Sequence, residues 1–131
     1  MADNPWDSVN VWHELMSLQP EQARKFYSEV IGLTTKQLEG GPFPYTIWLQ
    51  DDQPVGGLIP PQGEQKGWPS GSTPHWVSSF AVDNVDRAVK KTQELGGEVL
   101  VPPTDIPKFG RAAVLRDPEG AVFGVFQKQA R

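Results

Sequence analysis

With 131 residues, the chain is long enough to enclose the core of one domain. Its net charge of −4 is carried by interspersed acids and bases, so no basic stripe addresses nucleic acid or an anionic membrane. The absence of cysteine excludes disulfides and thiolate metal sites and fits a reducing compartment, no apolar run reaches transmembrane length, and the polar start lacks a signal pattern; the expectation is a cytoplasmic protein.

Residues 9–16 alternate apolar and polar as a strand does, with Val9, Val11, His13 and Leu15 on one face and Asn10, Trp12, Glu14 and Met16 on the other. Pro20 suits the first turn of a helix. Ala23, Phe26, Tyr27, Val30 and Ile31 recur at helical spacing before Gly32 stops it. Strands are expected at Thr34–Leu38, Tyr45–Gln50 and 55–59, separated by turns at Gly40-Gly41-Pro42 and Asp51-Asp52-Gln53-Pro54. Residues 60–74 carry the prolines and glycines of a linker.

After the linker the order restarts. A strand at 75–82 leads to a helix capped by Asp83 or Asn84, with Val85, Ala88, Val89, Thr92 and Leu95 facing the core. Gly96-Gly97 ends it, 98–101 is a strand, and 102–110 reads as a proline-rich loop. The chain closes on a hairpin whose turn is Arg116-Asp117-Pro118-Glu119-Gly120. A shift of 65 residues lays the second half on the first: Gly97 on Gly32, Ala88 on Ala23, Asn84 on Gln19, Val77 on Trp12 and Asp117 on Asp52. The fold class expected is therefore α+β. Two βαβββ modules, about 8–60 and 75–128 within one domain, pair into a curved mixed sheet around a cleft, with helices outside.

The segments 23–32 (ARKFYSEVIG), 82–88 (VDNVDRA) with Leu95-Gly96-Gly97, and Asp117-Pro118-Glu119-Gly120 resemble the vicinal oxygen chelate superfamily. That group contains glyoxalases, bleomycin resistance proteins and dioxygenases, and the chain looks closest to its glyoxalase-like proteins. The resemblance implies a small-molecule ligand or substrate in the inter-module cleft and a homodimer. It also implies, in metal-dependent members, four His- or Glu-type ligands on cleft-facing strands. The corresponding positions here are Trp12, Val77, Gly124 and, in the first module, Gly57 or Ile59, none of which coordinates a cation. No cofactor is expected on this reading; a divalent metal belongs only to the alternative, a lyase or dioxygenase with a site relocated to His13, Glu14 and His75.

Strand parity selects the candidate site. Trp12, Glu14 and Met16 should share the cleft with His75, Val77 and Ser79, while Gly124 leaves room for ligand. Glu14 in apolar surroundings would act as a base, unless it pairs with Arg111, Lys108 or another cation or is simply exposed. His13 reaches the cleft only if a bulge shifts the first strand. Trp12, Trp48 and Met16 are candidates to line an apolar pocket, or else core; Phe109 and Arg111 sit where the mouth would be. The expected function is small-molecule binding or metal-independent catalysis, with a filled-cleft interaction module as the remaining option.

Overall fold

The computed structural model describes residues 5–38, 45–59, 74–106 and 108–128. A 3-10 turn, Pro5–Ser8, precedes β1 (Val11–Met16), α1 (Pro20–Val30), β2 (Thr34–Leu38), β3 (Tyr45–Gln50) and β4 (Gln53–Ile59). The same order returns as β5 (His75–Ala81), α2 (Val85–Glu94), β6 (Glu98–Ile106), β7 (Gly110–Arg116) and β8 (Val122–Lys128). The strands form one mixed sheet in the order β2-β3-β4-β1-β5-β8-β7-β6. In each half the first strand runs parallel to the last, and the other pairs are antiparallel hairpins. The two halves thus repeat one topology, and the antiparallel β1–β5 ladder joins them.

Side-chain alternation assigns the two faces. Ala23 and Tyr27 of α1 pack on Leu15, Leu33, Trp48 and Leu58, while Ala88 and Val89 of α2 pack around Val85, Ala113, Leu115 and Val125. Both helices therefore cover the same, outer face. The inner face carries Trp12, Ile47, Phe109 and Phe126 with Trp6 of the 3-10 turn, and a second group of Met16 and Val77. The sheet is strongly curled. In a flat sheet β3 and β7 would lie about 24 Å apart at the usual strand spacing. Yet Phe109, just ahead of β7, meets the Tyr45 ring of β3 with centroids 5.3 Å apart.

The curl narrows what the helices cover. A straight helix touches a convex surface along a thin line, so Phe26, Val30, Ile31 and Leu95, expected to face the core, stay 49–69% exposed. The proline-rich segment after residue 101 is also different from expectation: β6 runs on to Ile106 through Pro102 and Pro103. It is the last strand of the sheet, where a missing N–H faces solvent at little cost, and two register shifts against β7 absorb the irregularity. The turn after β7 forms as read. Asp117 Oδ1 accepts from the N–H groups of Glu119 and Ala121, both at 2.9 Å, and Gly120 takes the positive φ of +100°. The expected turn at 40–42 and most of the 60–74 linker lie outside the described residues.

Candidate functional site on the concave face

β1 pairs with β5 without interruption from Val11↔Phe80 to Met16↔His75. No bulge intervenes, so the parity read from the sequence holds: Trp12, Glu14 and Met16 face inward, and His13 faces outward beside Leu15. His13 is exposed there, its Nδ1 3.4 Å from Ser78 Oγ on the neighbouring strand. The sheet separates it from Glu14, so the two cannot act on one ligand, and a relocated metal site built from His13, Glu14 and His75 has no common face to form on.

Glu14 is the most unusual group on the concave side. Its carboxyl is enclosed. Tyr45 Oη donates to Oε2, and Oε1 is sealed from solvent with no hydrogen-bond partner. Trp12 Nε1 donates in turn to Tyr45 Oη at 2.9 Å. Desolvation raises the Glu14 pKa from an ordinary 4.5 to about 7, although hydrogen bonding from Tyr45 and Trp12 favours the carboxylate and offsets part of the rise. Burial, with the adjacent carboxylate, pushes the Tyr45 phenol well above its ordinary range. A carboxyl that titrates near neutrality can both give and take a proton, which suits general acid–base chemistry.

The register shows how the triad is assembled. Glu14 stands opposite Gly57 of β4 on one side and Val77 of β5 on the other. Tyr45 belongs to β3, one strand beyond β4, and reaches Glu14 across Gly57. A Cβ at Gly57 would lie 2.6 Å from Glu14 Oε1 and 2.7 Å from Tyr45 Cζ, too close for any side chain to stand there as the triad is arranged. Gly124 is filled by a similar intrusion. Ser79, its partner in the β5–β8 ladder, places Oγ over it, well inside contact distance of a Cβ built there. The room expected for ligand at Gly124 is therefore occupied by Ser79.

The remaining candidates divide between the faces. His75 begins β5 opposite Met16, half-buried, and Val77 packs with Met16 and Val122 beside Glu14. Phe109 is inward and buried between Trp6 and Tyr45, so it is an inner wall and not an open mouth. Trp12 is only 1% exposed and belongs to this same aromatic cluster.

Two candidates fall on the wrong side. Trp48 lies on the outer face, where its ring packs 5.7 Å from Tyr27 of α1, because Tyr45 and Ile47 take β3's inward positions. Arg111 is on the outer face as well. It is held by Asp86 of α2 and Asp105 of β6, each at 2.8 Å, and it keeps the Asp86 carboxyl below its usual range. Glu14 therefore has Tyr45 as its partner and not Arg111. Tyr45 and Gly57 are the members of the site that reasoning from the sequence did not assign to it; YTIWLQ is apolar on both faces and marks no inward side, and the pairing of Gly57 with Glu14 appears only in the assembled sheet.

The donor set does not suit a divalent ion. Trp12, Val77, Gly57 and Gly124 supply no ligand atom, and among the described residues no three His, Cys, Asp or Glu side chains come together. Glu14, the inward carboxylate near those positions among the described residues, already has one oxygen on a phenol.

This arrangement of tandem modules around an inward face is matched by a known family. The pattern of the Glyoxalase/Bleomycin resistance protein/Dioxygenase superfamily aligns with residues 12–125, and the chain belongs to that superfamily. A Mycobacterium tuberculosis protein named "Putative glyoxylase CFP32" is 39% identical over 118 residues, covering 89% of this chain and 43% of the relative. The anthracycline biosynthesis protein DnrV of Streptomyces peucetius is 37% identical over 118 residues, covering 88% and 40%. The chain thus spans less than half the length of these relatives. Among solved structures, Streptomyces coelicolor methylmalonyl-CoA epimerase in complex with 2-nitronate-propionyl-CoA shares the fold. Its TM-score is 0.61 at 14% identity, over 93% of this chain and 99% of that one.

Proposed function

We propose that the chain, acting as a single domain, binds a small organic molecule against the concave face and exchanges a proton with it through Glu14, without a metal. The observation that carries this reading is the enclosed Glu14 carboxyl, with Oε2 engaged by Tyr45, Oε1 unpartnered, and a pKa of about 7. An orphaned buried oxygen costs free energy, and a ligand hydroxyl donating to Oε1, or a ligand carbonyl accepting from it when it carries the proton, would relieve that cost. Trp6, Phe109 and Phe126 fill the end of the concave face near Trp12. The ligand accordingly belongs at the other end, where Met16, His75 and Val77 surround Glu14.

Two Streptomyces relatives are named for anthracycline biosynthesis, which makes flat hydroxylated polycycles the first ligands to test. Titration with 1,8-dihydroxyanthraquinone, followed by tryptophan fluorescence, should give saturable binding in the micromolar range. Val77→Trp, which crowds the side chains packed beside Glu14, should weaken it at least tenfold. Binding that is unchanged in Val77→Trp, together with no small molecule copurifying by native mass spectrometry, would remove the support for this reading.

A cytoplasmic location and a homodimer complete the proposal. Val11 and Phe80 pair on the outer face, 38% and 47% exposed, and offer an apolar surface for a second copy. Light scattering at micromolar concentration should report a dimer, and Phe80→Glu should shift it to monomer.

A further inference from the structure

This inference rests on Glu14 being the proton-exchanging group, and concerns what holds it in place. We infer that Tyr45 and Gly57 are positioning residues. The bare backbone of Gly57 admits the Tyr45 ring across β4, and the phenol then fixes the Glu14 carboxyl by Oε2, leaving Oε1 as the oxygen that takes the proton.

Hydrogen-bond chemistry fixes the direction of the chain. An indole N–H only donates, so at the 2.9 Å contact with Trp12 Nε1 the Tyr45 oxygen is the acceptor. Its own hydrogen is then directed to Glu14 Oε2, the second partner of that oxygen. Oε2 keeps a donor whether Glu14 is charged or neutral. A proton arriving on the carboxyl goes to Oε1, which is buried and has no other partner.

The spacing requires the glycine. Strands β3 and β1 flank β4, and side chains two strands apart meet only when the strand between presents nothing in their path. Gly57 sits directly opposite Glu14, and any Cβ there would collide with both partners. Phe109 supports the arrangement from the second module, edge to face on the Tyr45 ring at 5.3 Å and 75°. Among the described residues, the titratable groups sharing the concave face beside Glu14 are Tyr45 on β3 and, diagonally on β5, His75.

The test is a carbon-13 titration of the Glu14 carboxyl, assigned with Glu14→Gln, together with the indole N–H resonance of Trp12. In the native chain the carboxyl should titrate near 7. Tyr45→Phe keeps the ring and removes the donor, and should raise the midpoint by about one pH unit while moving the Trp12 indole signal upfield. Gly57→Ala should lose the same indole hydrogen bond, since its methyl meets the movable ends of two side chains and the fold can adjust. Combining the two should add little, as expected of one device. If both variants leave the midpoint and the indole signal unchanged, positioning by Tyr45 and Gly57 is overturned while Glu14 keeps its role. A native midpoint at the ordinary carboxylate value would instead overturn the role of Glu14. Should Gly57→Ala not fold, Tyr45→Phe decides alone.

Discussion

Glu14 makes stability depend on pH in a direction opposite to that of a salt-bridged carboxylate. Its folded pKa of about 7 lies above the unfolded 4.5, so below pH 4.5 both states hold the proton and nothing is lost. Between pH 4.5 and 7 the unfolded chain ionises first, and stability falls by on the order of 3 kcal/mol before levelling off. Denaturant unfolding across this range should show the slope in the native chain and a flatter profile in Glu14→Gln. Trp12 calls for a different expectation. As a pocket wall it would be dispensable to the fold, but at 1% exposure inside an aromatic cluster it is core. Trp12→Ala should cost about 3–5 kcal/mol in urea unfolding. The inward parity of Trp12 and Glu14 was legible because Val9, Val11 and Leu15 share the opposite face and no bulge breaks the period of two along β1. That of β3 was not: YTIWLQ is apolar on both faces, so neither Tyr45 nor Trp48 declares its side. Nor could the partner of Glu14 be found locally, since it lies across another strand and depends on the strand order.

At the scale of elements, the strand-turn signals proved most reliable where chemistry and geometry coincide. The Asp117 turn holds two backbone N–H groups on one carboxylate oxygen. Asp117→Ala should therefore lower stability by about 1–3 kcal/mol, measured by chemical denaturation. The helix start at Asn84 was legible for the same reason: its side chain accepts from Arg87 N–H at 2.9 Å. The end of β6 was not, because Pro102 and Pro103 break a central strand yet are tolerated on an edge, and edge position is a property of the assembled sheet. Arg111 illustrates the same limit. Its partners, Asp86 and Asp105, come from two other elements, and only the packed structure shows that they draw it outward.

On the scale of the whole molecule, the repeat and the α+β class were visible from element order alone, whereas the use of each inward position was not. Family membership brings an expectation of a divalent ion that the inward residues do not support. Chelator, or added Zn²⁺, Ni²⁺ or Mn²⁺, should leave the melting temperature unchanged within about one degree, since an ion held by the native state stabilises it by mass action. The duplicated topology has a further consequence at the β1–β5 ladder, where the halves join. A strand in that ladder recognises only the complementary strand, and an identical β5 from a second chain offers every hydrogen bond that its own does. Two chains could therefore trade halves across residues 60–73, each seam remaking the contacts it lost. Shortening that segment until it no longer spans the closed arrangement would favour such an intertwined pair, in which every concave face is built from two chains.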